Sequence, residues 1–367
     1  MPKLRNLLIA FIVWGCAHPE TGIKIYYPAD DIPDIYISPP SGIITISEIV
    51  DSIGFIILDS KEGGIIGNIG KVVHNNHRFH LHDEIQEKIF VFSEDGEYIS
   101  RISRKGPGPE EYPAITDFSV KGDTIVIFNR NKLYMYDING NFLINKLIPF
   151  VAYRMELSGN HYYFFRHGNT AFGDDDYFYD LIISDQKGEI TNKFFPYTED
   201  YTFSTLTIPT PFFRSEDNLF FISPTKNSVF LLDDGEPVEH IRFAGPDPGR
   251  YTLSYFFETT YATKIGFYGG MTGSAIISRV NGSVISYNSC KSDEKFLFKG
   301  QYPKTVVNDK IISVLNPHEF GWVINSDPVM IENIYNYYPQ YKDLLDYIRT
   351  ENVNPIITVE KYKQKYE

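Results

Sequence analysis

Apolar positions along the chain come in short runs broken by polar turn residues, a spacing that suits strands rather than helices. One unit recurs: an apolar strand, an Asp/Asn-Gly type of turn and a second strand. It appears as IFVFSEDGEYISRI over 89–102, LYMYDINGNFLINKL over 133–147, LIISDQKGEITNKFF over 181–195 and VFLLDDGEPVEHIRF over 229–243. The turn glycines Gly96, Gly140, Gly188 and Gly235 follow one another at steps of 44, 48 and 47 residues. Glycine there supplies the positive φ that a tight two-stranded connection needs. The second unit parses completely, with strands over Thr116–Val120, Thr124–Phe128, Leu133–Asp137 and Phe142–Leu147 and no room left for a helix.

A four-stranded sheet repeated at this period is the pattern of a β-propeller blade. The strands are apolar on both faces, as Ile125 and Ile127 against Val126 and Phe128 illustrate. Such a sheet must be sandwiched between neighbours to leave water. Units at 68–112, 113–150, 151–197, 200–245 and 251–300, with a sixth from 301, predict an all-β, six-bladed β-propeller, seven blades being the alternative count. The sixth unit is interrupted: VVNDKIISVLN and FGWVIN read as strands, while 328–350 reads as a short helical insertion. Pro328 and Pro339 suit the first position of a helix, and Tyr341, Leu344, Leu345 and Ile348 share one helical face. IITVEKYK, after Asn354-Pro355, is one more strand. The segment ITISEIVDSIGFIILD, from residue 43, is expected to lend a strand to the last blade. Strands from both termini then close the ring and remove an open edge.

The N-terminus reads as an address. Lys3 and Arg5 precede the apolar run Leu7–Trp14, and Gly15-Cys16 closes it, which is the layout of a secretory signal. The run is far shorter than the roughly 20 residues a membrane-crossing helix needs. Its ending resembles a bacterial lipobox, which implies acylation of Cys16; the alternative is a buried first strand with an ordinary thiol. The expected division is 1–16 signal peptide and lipobox, 17–42 an extended tether with Pro19, Pro28, Pro33, Pro39 and Pro40, and 43–367 a single propeller domain. Cys290 is then left alone, so no intrachain disulfide is expected. No acidic run follows Cys16, which favours a lipid-anchored, periplasm-facing protein of the bacterial cell envelope.

Composition narrows the classes. Lys plus Arg is 34 against 47 for Asp plus Glu, a net charge of −13. An acidic chain is poorly suited to non-specific binding of nucleic acid or anionic lipid, so membrane contact is expected only through the lipid anchor. The 28 Phe and 27 Tyr supply enough large apolar surface for a sizeable core and favour strands. Two cysteines exclude a disulfide scaffold and a multi-Cys zinc site.

Gly106-Pro107-Gly108-Pro109-Glu110-Glu111-Tyr112 follows the last strand of the first unit. Its alternating glycines and prolines make a rigid turn poor in N–H donors, unlike a phosphate cradle. Together with the preceding VFSEDGEYISRISRKG and the closing Asn354-Pro355-Ile356 and EKYK, it resembles the signature of six-bladed β-propeller lipoproteins of Bacteroidetes-type bacteria, NHL-like or TolB-like in shape. In that family the stretch links the first blade to the second; here Pro109 and an extra Glu replace the commoner single Gly-Glu. The family is mostly without assigned activity, so the resemblance implies fold and location rather than a reaction.

Candidate chemistry is sparse. His74, His77, His80 and His82 cluster, and His80 and His82 share a strand face; with Asp83 they are the metal-ligand candidates. The competing reading makes 79–82 the second strand of a blade, and no further cluster completes a site. Asp174, Asp175 and Asp176 with Asp180 offer oxygens for calcium but lack the spacing of a calcium loop, which favours a solvated acidic loop. Tyr177-Phe178-Tyr179 and Tyr335 to Tyr338 either stack on sugars or cap sheets and helices. No G-x-S-x-G or H-E-x-x-H occurs, so no catalytic residue and no cofactor is assigned. The expected function is a non-catalytic, monomeric scaffold for an unknown glycan, peptide or envelope protein. The alternative is a propeller hydrolase or lyase acting on glycans or peptides, with its residues gathered around the axis.

Overall fold

A computed structural model describes residues 34–37, 39–60, 64–166, 179–196, 210–223, 228–244, 251–269, 272–300, 302–317, 328–350 and 353–366. The strands form six four-stranded antiparallel blades in chain order. Blade 1 runs Ile69–Asn75, Arg78–Asp83, Lys88–Ser93, Tyr98–Ile102; blade 2 Asp117–Lys121, Thr124–Asn129, Lys132–Asp137, Phe142–Leu147. Blade 3 runs Arg154–Ser158, His161–Phe165, Tyr179–Asp185, Ile190–Pro196; blade 4 Phe212–Ser215, Asn218–Ile222, Ser228–Asp233, Glu236–Ala244. Blade 5 runs Tyr251–Glu258, Ala262–Gly269, Gly273–Ser278, Val284–Tyr287; blade 6 Tyr302–Val307, Lys310–Leu315, Ile356–Tyr362, Val50–Ile57.

The two-sided apolar strands do what their pattern requires. Ile125 and Ile127 pack towards blade 1 with Val73, Ile89 and Val91, while Val126 and Phe128 pack towards blade 3 with Met155 and Phe164. Each such buried side chain contributes about 1.5–3 kcal/mol of hydrophobic stabilisation. The repeat glycines Gly96, Gly140, Gly188 and Gly235 all have positive φ, between 80° and 90°. Gly96 has a second constraint, because a Cβ there would lie 2.2 Å from the carbonyl oxygen of Ile57 in the closing strand.

Closure mixes the termini as the sequence predicts. Val50–Ile57 pairs antiparallel with Ile356–Tyr362 and becomes the outermost strand of blade 6. The front half of the early segment goes elsewhere. Ile43–Thr45 pairs in parallel with Ser289–Lys291, and a capped helical turn, Ile46–Ile49, redirects the chain. Part of the expected tether is also docked: Asp34–Tyr36 adds a parallel fifth strand outside blade 4, pairing with Arg242–Ala244. Ile37 is buried and Ile35 packs against the same core, so this stretch leaves water for the same reason as the blades. Residues 17–33 of the tether, Cys16 and the FGWVIN segment lie outside the described residues.

The insertion in blade 6 is helical over Pro328–Tyr337, Pro339–Tyr341 and Lys342–Ile348. Tyr341, Leu344, Leu345 and Ile348 are buried against Phe298, Leu315 and Ile356. Among the described residues no helix is long and apolar enough to cross a membrane.

An antiparallel blade places its second-to-third connection and the linker to the next blade on one face of the disc, and its two remaining hairpins on the other. We call these the linker face and the turn face. Between them the inner strands of blades 4 and 6 meet directly: Ser215 bridges Val306, and the Thr305 hydroxyl donates to the Arg214 carbonyl at 3.2 Å.

Candidate functional site

The innermost strands of blades 1, 2, 3, 4 and 6 each bring a charged side chain to one axial cavity. A cavity of about 110 Å³ is lined by Lys71 of blade 1, Asp117 of blade 2, Arg154 and Glu156 of blade 3, Arg214 of blade 4 and Lys304 of blade 6, with Phe213 and Phe257 among the apolar walls. Lys71, Asp117, Arg154 and Lys304 come from the first halves of their inner strands, the linker-face ends, and Glu156 from the middle of its strand, while Arg214 and Phe257 lie further along theirs.

Lys71 is saturated. Its ammonium donates to Asp117 Oδ1 at 2.8 Å, to Glu156 Oε1 at 2.5 Å and to the Phe118 carbonyl at 2.7 Å. An ammonium has three N–H donors, and all are used. Glu156 Oε2 accepts the Ser119 hydroxyl at 2.9 Å and Arg214 at 3.2 Å. Asp117 accepts the backbone N–H of Phe118 at 2.8 Å and of Met155 at 3.0 Å. Burial pushes the Glu156 carboxyl up, but Lys71 and Arg214 prevail and hold it below its usual value. Burial likewise works against the Lys71 cation, and the two carboxylates prevail to raise it. Both groups are fixed in their charged forms.

Lys304 contrasts with Lys71. It donates to the Gly70 carbonyl at 2.8 Å and makes no ion pair with any described residue. Burial lowers its pKa, and Glu84, too distant for an ion pair, only partly offsets this.

A second cavity, of about 410 Å³, opens on the turn face around blade 4. Its carboxylates are Asp217, Asp233, Asp234 and Glu258, opposed by His240 and Arg279. Glu258 accepts His240 Nε2 at 3.0 Å and pairs with Arg279 at 3.2 Å, so its charge is spent within the protein.

The residues singled out from sequence fall elsewhere. His80 and His82 do share a strand, the second of blade 1, and both are buried. His80 Nδ1 lies 3.3 Å from the Val73 carbonyl, and the His82 ring packs edge-on to Phe118. Burial pushes His80 down to about 4 and lowers His82. Asp83 instead accepts backbone N–H groups of Gly67, Ile85 and Gln86, which folds the turn after its strand. Among the described residues no three His, Cys, Asp or Glu side chains are grouped to hold a metal. His74 and His77 meet Glu94 at 2.8 and 3.3 Å on the surface. Asp180 is buried in blade 3, whereas Asp174, Asp175, Asp176, Tyr177 and Phe178 lie outside the described residues. Tyr335 and Tyr338 pack against the helical insertion and Tyr337 is exposed. Cys290 is a free thiol.

The GPGPEEY stretch is the link between blades 1 and 2. Gly108 N–H donates to Glu111 Oε2 at 2.9 Å, and the buried Tyr112 hydroxyl donates to the Glu87 carbonyl at 2.8 Å. Sequence reasoning missed the axial set because its members sit at 71, 117, 154, 156, 214 and 304 with no local spacing. The available signal was one charge in the first strand of successive units.

A family model described as a 6-bladed β-propeller matches residues 30–257. No curated protein matches the sequence. Among solved structures the chain is similar to a protein of Bacteroides fragilis whose name describes it as exported, at 17% identity and a TM-score of 0.71, over 90% of this chain and 100% of that one. It also aligns with BamB of Moraxella catarrhalis at 11% identity and a TM-score of 0.36, over 86% of this chain and 100% of that one. At such identity the Bacteroides fragilis likeness shows the fold alone.

Proposed function

The chain belongs to this family of six-bladed β-propellers, and from that premise we propose that it is a cell-envelope lipoprotein whose propeller binds a ligand or partner without transforming it. The basic start, the short apolar run and Cys16 support anchoring through an acylated cysteine. The exported description of the Bacteroides fragilis relative points the same way.

One observation carries the binding reading. A general acid or base works best with a pKa near the operating pH. In the axial cluster the shifts run away from neutrality, Glu156 downwards and Lys71 upwards. Fixed charges in an axial cavity suit recognition, and this cavity gathers inner-strand side chains from several blades.

The anchoring part is tested by Cys16→Ser, which is expected to move the protein from the membrane to the soluble fraction; unchanged fractionation would contradict it. The binding part is tested by immobilising the protein against envelope extract and a glycan array, where a retained glycan, peptide or protein is expected. Turnover of reporter glycosides or peptides that Glu156→Gln abolishes would replace this reading with the enzymatic one.

A further inference from the structure

The axial cavity is layered by charge. Lys71 and Arg214 keep 23 and 20% of their side chains exposed, whereas Asp117 and Glu156 keep 5% each. The carboxylates lie behind and the cations in front. Among the described residues of the lining, the cations Lys71, Arg154, Arg214 and Lys304 outnumber the carboxylates Asp117 and Glu156, in a chain of net charge −13.

The carboxylates have no capacity left for the front of the cavity. Asp117 is engaged by Lys71 and two backbone N–H groups, and Glu156 by Lys71, Arg214 and Ser119. Lys304 is the complement of this: of its three N–H donors, one goes to the Gly70 carbonyl and no described carboxylate takes the others. A half-buried ammonium in contact with no described carboxylate, and only partly compensated by the more distant Glu84, is costly, and an anion entering the cavity would relieve that cost.

We propose that the axial cavity is an anion subsite, in which Lys304, with Arg154 and Arg214 beside it, receives a single carboxylate or phosphate group of the ligand. The inference rests on the binding reading above and names the chemistry of the bound group. A cavity of about 110 Å³ admits such a group, not a whole polymer, so the rest of the ligand would lie across the linker face. Charge-assisted hydrogen bonds to a half-buried cation are strong enough to dominate recognition of so small a group.

The experiment is a calorimetric titration of the full chain with galacturonate, inorganic phosphate and neutral galactose. Galacturonate or phosphate is expected to bind about ten-fold or more tightly than galactose, and to weaken as salt rises. The ratio between the two anions distinguishes an acidic sugar from a phosphate source. Lys304→Met keeps the aliphatic stem and is expected to lower anion affinity about ten-fold. Arg154→Met provides a second variant should Lys304→Met fold poorly. If the anions bind no better than galactose, or if both variants bind them as the wild type does, the subsite is overturned. A partner still retained from envelope extract in that case would leave the binding reading standing and dismiss only the anion.

Discussion

The two faces of the disc carry opposite charge around their cavities. On the linker face, cations line a small cavity and its two carboxylates are consumed by Lys71, Arg214 and backbone N–H groups. On the turn face a larger cavity is ringed by Asp217, Asp233 and Asp234, and its buried carboxylate, Glu258, is consumed by His240 and Arg279. In both places the buried carboxylate is a structural partner, and what remains in front decides the sign. Overall net charge therefore says little about what one face attracts, because local excess in a desolvated recess outweighs distant, screened charge.

The largest expected effect comes from breaking the tighter cluster. Glu156→Ala strands Lys71 and Arg214 without their shared partner and should cost about 3–5 kcal/mol in urea unfolding. Glu258→Ala should cost less, because Glu258 keeps 9% of its side chain exposed against 5% for Glu156 and is the less desolvated partner. The reverse order would show that the turn-face pair is the more desolvated of the two.

A pH series sharpens the comparison further. His80 is buried and its pKa in the fold is about 4, below the usual 6.5. The neutral ring must gain a proton on unfolding, so its contribution is fully present above pH 6.5 and is lost as pH falls towards 4. The loss amounts to about 3 kcal/mol. Glu156, held below its ordinary 4.5, loses its contribution only as pH falls below that value. His80→Gln should reduce the limb between pH 6.5 and 4, to which the buried His82 also contributes, and leave the lower limb, which Glu156 shares with other carboxylates held low such as Asp293. A limb unchanged by the substitution would place the titration elsewhere.

Smaller effects separate turns of the same face. Gly96→Ala meets the Ile57 carbonyl as well as a left-handed backbone, and should cost more than about 2 kcal/mol. Gly188→Ala meets open space at a similar φ and should cost about 1 kcal/mol. Equal losses would mean that the closing strand does not press on the first blade's hairpin. Smallest of all, Arg78→Ala removes a surface pair with Asp123 and should change thermal stability by under about 1 kcal/mol.

Strand order and turns were legible because local patterns determine them: alternating apolar faces need neighbours on both sides, and the four repeat glycines mark positive φ. The helical insertion was legible from the spacing of Tyr341, Leu344, Leu345 and Ile348. The docking of Asp34–Tyr36 was not, since a proline-rich approach masks the burial of Ile35 and Ile37. The axial cluster was invisible for a different reason. Lys71 and Glu156 are 85 residues apart and meet only when six sheets are arranged around an axis. His80 and His82 drew attention through proximity in sequence, yet strand burial explains both.

Anomalous diffraction from bromide-soaked crystals tests most directly whether the disc presents a cationic recess on one face and an acidic one on the other. A bromide peak is expected in the axial cavity beside Lys304, with none among Asp217, Asp233 and Asp234. Absence of the axial peak, or a stronger one on the turn face, would contradict the assignment of the two faces.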